Sequence, residues 1–117
     1  MRPVVLIIET RVEVAAALEA AIALSNFNTV VVPHLERLSD LATTPAVIVV
    51  RVAFESVNDP PHNAIKRLPP DRPPVVAIAW EEEELEEARQ LKCDAILHAP
   101  HDLVRLSETL TKLADSA

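Results

Sequence analysis

Five short runs of aliphatic and β-branched residues recur along the chain, and they constrain its fold more than any other feature. They are VVLIIE (4–9), NTVVVPH (28–34), AVIVVRV (46–52), PVVAIAW (74–80) and DAILHA (94–99). The runs are nearly unbroken, which is the pattern of a strand covered on both faces. Helical periodicity fills the intervals. An alanine-rich segment after the first run places Leu18, Ile22 and Ser25 on one stripe, with Thr10 and Glu13 spaced as a capping box. LERLSDLA (35–42) reads as a short second helix. PPHNAIKRL (60–68) reads as a third, with Asp59 as its cap and Pro60 presetting its first turn. EEEELEEARQLK (81–92) is a fourth helix, whose acidic first turn opposes the positive end of the helix dipole. A last helix from about Asp102 carries Leu103, Leu106, Leu110 and Leu113 at three- and four-residue spacing. His34 is expected to end the second strand. Five such β-α units imply a three-layer α/β/α sandwich with a five-stranded parallel sheet and right-handed crossovers. Residues 1–117 are expected to form one domain, with function at the carboxyl ends of the strands.

Composition removes several functions. The chain has no glycine beside ten prolines. Phosphate-cradling loops need glycine, so neither a dinucleotide fingerprint nor a P-loop is present. Turns are expected to rely on Pro, and on Asn or Asp for the left-handed region. A net charge of -7 with 3% aromatic residues gives no basic surface for nucleic acid. The lone Cys93 cannot form an internal disulfide. No apolar run approaches membrane-spanning length and no signal-peptide pattern opens the chain, so a cytoplasmic protein is expected, without membrane attachment.

RPVVLIIETRVEV (2–14) resembles the first strand and acidic turn of the receiver domains of bacterial response regulators, and CDAILHAPHDL (93–103) resembles their fifth strand and following loop. With the order and spacing of elements, the resemblance covers essentially the whole chain. It implies the flavodoxin-like strand order 2-1-3-4-5. It also places the family's functional positions. The two acidic residues that hold Mg2+ fall on Glu9 and Thr10, so one carboxylate remains. The phosphoacceptor aspartate falls on Arg51, the hydroxyl residue ending strand four on Ala79, followed by Trp80, and the aromatic switch position on Ile96. The lysine before the family's proline falls on Ala99, with Pro100 retained.

Phosphoryl transfer to a side chain needs a carboxylate nucleophile, a divalent cation and donors for the phosphoryl oxygens. Arginine stays protonated and presents only donors, so a degenerate pseudo-receiver is expected, without phosphorylation at position 51, metal or cofactor. Strands one and three are neighbours in the implied order, about 5 Å apart. Arg51 is therefore expected to face Glu9 and to replace the metal by a charge-assisted pair. The alternative is that it snorkels from a loop into water.

Other residues carry two readings each. His98 and His101 have ligand-like spacing but lack a third ligand, since His34 lies toward the opposite sheet edge. Cys93 is either a small buried hydrophobe or a thiol beside Lys92. Trp80 either joins an interface or plugs the space of the absent metal and phosphate. The resemblance makes the face of the fourth helix, fifth strand and last helix a candidate interface, with Trp80, Glu84, Arg89, Ile96 and Arg105. The expected function is phosphorylation-independent, non-enzymatic signalling in a two-component-type pathway, through another signalling protein or a homodimer. The alternative is a small-molecule-binding or enzymatic flavodoxin-like domain using the pocket around Glu9, Arg51 and Trp80.

Overall fold

The expected sheet forms. A computed structural model describes residues 2–23, 25–54 and 60–115. Strands β1 (Val4–Ile8), β2 (Asn28–Val32), β3 (Val47–Arg51), β4 (Val75–Ala79) and β5 (Ala95–His98) are all parallel, in the order β2-β1-β3-β4-β5. The helices are α1 (Val12–Ile22), α2 (Asn63–Arg67), α3 (Glu82–Gln90) and α4 (Leu106–Asp115).

Alternation along the strands divides the core in two. Val5, Ile7, Val49, Val76 and Ile78 meet Leu18 and Ile22 of α1 and Leu106 and Leu110 of α4. On the other face, Leu6, Ile8, Ile48, Val50 and Ala77 meet Ala64 and Ile65 of α2 and Ala88 of α3. The stripes read from the first and last helices are therefore the buried ones. Ser25, just past α1, hydrogen-bonds through its hydroxyl to Ser107 of α4. No helix is long and apolar enough, among the described residues, to cross a membrane.

Several local expectations are corrected. LERLSDLA forms only a 3-10 turn, Leu38–Asp40. Its leucines 35, 38 and 41 recur every third residue, the repeat of a 3-10 helix. All three pack on the second face of the sheet. Thr10 does not cap α1. Arg11 occupies that position without a side-chain cap, and its backbone N–H donates to Glu9 Oε1 at 2.9 Å. β2 stops at Val32, before Pro33 and His34, because proline brings no N–H to the ladder. The expected cap Asp59 lies outside the described residues. α2 begins at Asn63, after bonds from Asn63 N–H to Pro60 O and from Ala64 N–H to Pro61 O. A 3-10 turn, His101–Arg105, precedes α4 where a continuous helix from Asp102 is expected. Among the described residues, the left-handed backbone position falls on Lys92 (φ 56°), while Asn58 and Asp59 lie outside them.

Candidate functional site

The parallel register pairs Ile8 with Val50, so the next residues, Glu9 and Arg51, emerge side by side at the carboxyl edge. Both are buried, at 3% and 6% exposure. Arg51 donates from Nε to Glu9 Oε2 at 2.5 Å. Glu9 Oε1 accepts the Arg11 N–H at 2.9 Å, and the Thr10 hydroxyl stands 3.5 Å from the same oxygen, at the limit of a hydrogen bond. Each carboxylate oxygen thus has a donor. Arg51 pairs inward and does not snorkel into water.

Trp80, one residue past β4, stands beside the pair. Its ring centroid lies 5.9 Å from Arg51 Cζ, within cation–π range. Its backbone is held from two sides: its N–H donates to Glu84 Oε1 at 2.8 Å, and its carbonyl lies 3.0 Å from His98 Nε2. Ala79 and Ala99 are buried, and their methyl groups offer neither a hydroxyl nor an ammonium to a phosphoryl group. The Ala99–Pro100 peptide is cis, and Asp102 Oδ2 accepts the His98 N–H across that turn at 2.9 Å.

The donor set does not fit a divalent cation. Mg2+ takes oxygen ligands, with one or two carboxylates. The carboxylate here has both oxygens engaged, one of them by a guanidinium that would repel the ion. His98 and His101 gain no third ligand: no group of three His, Cys, Asp or Glu side chains suited to a metal occurs among the described residues.

Cys93 is half-buried, and burial pushes its thiol up to about 11 from an ordinary 9.0, with Arg72 opposing the shift and Asp94 adding to it. At neutral pH it is a protonated, poorly nucleophilic thiol.

The residues expected at an interface divide. Arg89 and Arg105 are exposed, Ile96 is half-buried, and Trp80 is half-buried against the first core cluster. Glu84 is buried and turned onto its own helix. Its carboxylate accepts the N–H groups of Trp80 and Glu81, while Glu81 reciprocates in a capping box. It is thus corrected from a surface contact to a cap.

His62 escaped the sequence reading. It is 2% exposed, its Nδ1 accepts the Ala53 N–H at 3.4 Å, and its ring meets Phe54 edge-on at 5.7 Å. The one available signal was its three-residue spacing from the buried Ile65, which gives no hint of a bond back to the end of β3.

No family model matches the sequence, and no curated protein matches it. Solved structures do match. A sensor protein from Polaromonas sp. JS666 superposes with a TM-score of 0.76 at 20% identity, covering 99% of this chain and 98% of its own. A response regulator receiver protein from Burkholderia phymatum gives 0.76 at 17% identity, with coverage of 97% and 96%. The receiver domain of a sensor histidine kinase from Pseudomonas aeruginosa PAO1, with magnesium coordinated in its active-site cleft, gives 0.74 at 14% identity, with coverage of 98% and 99%. The chain therefore has the receiver fold, a five-stranded parallel sheet of flavodoxin-like order. The pair in its carboxyl-edge pocket is a guanidinium and a carboxylate.

Proposed function

We propose that this chain is a receiver-like signalling module of a two-component-type pathway that works by protein contact, without aspartyl phosphorylation or catalysis. One observation carries the reading: Arg51 stands where the receiver resemblance puts the phosphoacceptor, and its guanidinium is bonded to Glu9 at 2.5 Å. An ordinary receiver recruits a cation to neutralise its acidic residues. Here the neutralising charge is covalently part of β3, so the pocket stays in one electrostatic state whether or not Mg2+ or a phosphodonor is present. A ligand clamp would need this buried pair broken first, which disfavours the small-molecule reading. With Arg51 and Glu9 committed to each other, the face of α3, β5 and α4 is left to meet another signalling protein through Arg89, Ile96 and Arg105, with Val104 also exposed.

Incubation with acetyl phosphate and Mg2+, followed by intact-mass measurement, tests the reading. Neither the natural chain nor Arg51→Asp is expected to gain a phosphoryl group, because Thr10, Ala79 and Ala99 still lack the required chemistry in that variant. Trp80 fluorescence is expected to be unchanged by Mg2+. A phosphoryl-sized mass gain in the natural chain would overturn the reading.

A further inference from the structure

The second crossover leaves one sheet edge open. β2 pairs only with β1, and the segment leading from it to β3 supplies a 3-10 turn rather than an α-helix. Natural edge strands are commonly blunted by a charge, a proline or a bulge. Asn28–Val32 (NTVVV) has neither charge nor proline, in a chain with a net charge of -7. Val30 and Val31 are 43% and 36% exposed. The other edge is defended differently, since Asp102 takes the His98 N–H of β5.

Backbone parity defines what fits there. Asn28 N–H donates to Pro3 O and Val32 O accepts from Glu9 N–H, both at 3.0 Å, so residues 28, 30 and 32 turn their polar groups toward β1. The N–H and C=O groups of Thr29 and Val31 therefore point outward. In an antiparallel ladder, outward-facing residues form the doubly hydrogen-bonded pairs. A two-fold axis at Val30 sets Thr29 opposite Val31 of a second copy and Val31 opposite its Thr29, giving four backbone hydrogen bonds. The same axis sets Val30 against its own counterpart as the close, non-hydrogen-bonded pair. Val30 lies on the face of Leu6, where a cavity of about 120 Å³ is lined by Val4, Leu6, Val30, Leu41 and Pro45. That volume is well below the roughly 300–1,000 Å³ of small-molecule pockets, and it is of a size for an apolar side chain crossing the edge. Charge agrees with this register. Arg2, exposed beside the amino end of β2, is carried toward the carboxyl end of the second copy's strand. Four residues beyond that end, Glu36 has a 70% exposed side chain, 3.8 Å from Arg67.

We infer that the β2 edge is a self-association surface, on which two copies join antiparallel strands into one continuous sheet. The inference uses the proposed function only in taking the module to work by protein contact, and the phosphorylation test is independent of it. A five-residue strip buries less than the roughly 1,200–2,000 Å² of a stable interface, so the dimer is a weak, concentration-dependent one.

Sedimentation velocity from low micromolar to several hundred micromolar protein is expected to show a monomer–dimer equilibrium. Val31→Pro removes an outward N–H that β1 does not use, and Val30→Lys places a charge on the axis. Each is expected to leave a folded monomer. Cross-linking provides a readout that does not depend on those variants folding. The residue-30 pair is expected at a Cα separation of about 4.5 Å, inside the disulfide range of about 4.4–6.8 Å. Val30→Cys is therefore expected to oxidise to a covalent dimer, whereas Thr29→Cys, facing residue 31, is not. The natural chain, with only Cys93, is the control. A monomer at every concentration, a dimer that survives both edge variants, or equal cross-linking at positions 29 and 30 would overturn the inference.

Discussion

Arg51, at the end of β3, and Glu9, just past β1, both leave water, and each loses hydration worth several kcal/mol. Their bond repays that loss only while both are present. Replacing either partner alone, as Glu9→Leu or Arg51→Met, is expected to lower unfolding free energy by about 3–5 kcal/mol, because a buried charge is left uncompensated. Removing both charges together as Glu9→Leu with Arg51→Met is expected to recover most of that loss. Urea unfolding of the two singles and the double checks this, and strict additivity would contradict a coupled pair. Cys93 supplies a pH signature. Its thiol ionises near 11 when folded against an ordinary 9.0, so the folded chain holds this proton more tightly than the unfolded chain. The corresponding stability is complete below pH 9 and is lost as pH rises toward 11. Iodoacetamide labelling is expected to stay slow at neutral pH and to accelerate across that window, and rapid labelling at pH 7 would contradict the burial argument.

At the scale of elements, the absence of glycine has a definite cost at the end of α3. Lys92 follows the helix in the left-handed region, with its N–H on Arg89 O at 3.2 Å, a position where glycine is usual. A side chain there costs about 1–2 kcal/mol, partly offset because glycine would lose more backbone entropy on folding. Lys92→Gly is therefore expected to stabilise the protein by up to about 1 kcal/mol, a modest rise in Tm by calorimetry. A fall would mean that the lysine side chain contributes more than its backbone costs. The other end of α3 was only half legible. The acidic run announced a helix start, but which carboxylate turns back to cap it depends on the backbone angle at Glu81. LERLSDLA shows the opposite failure. Its apolar spacing was read as a helix, yet a segment this short cannot sustain one without strong packing, and its leucines reach the sheet without one, Leu35 buried and Leu38 and Leu41 half-buried.

Across the whole molecule, cover is uneven. β3 and β4 are buried along their full lengths, whereas β2 mixes half-buried and exposed residues at the edge. Amide exchange is expected to be slowest in β3 and β4. In dilute solution it should be faster by orders of magnitude at Thr29 and Val31, whose N–H groups face no strand. Equal protection across the sheet in the monomer would contradict the open edge.

Strand identity and strand order were legible because five apolar runs can be buried only by pairing in parallel between helices, and the receiver resemblance ordered them. The Glu9–Arg51 meeting followed from that order, since neighbouring strand ends must lie side by side. Tertiary structure alone decided that Trp80 stacks beside Arg51, that Glu84 is a cap, that His62 reaches back to β3, and that the second crossover carries no α-helix. Those outcomes depend on side-chain directions and on competing partners distant in sequence, which the periodicity of a single segment does not encode.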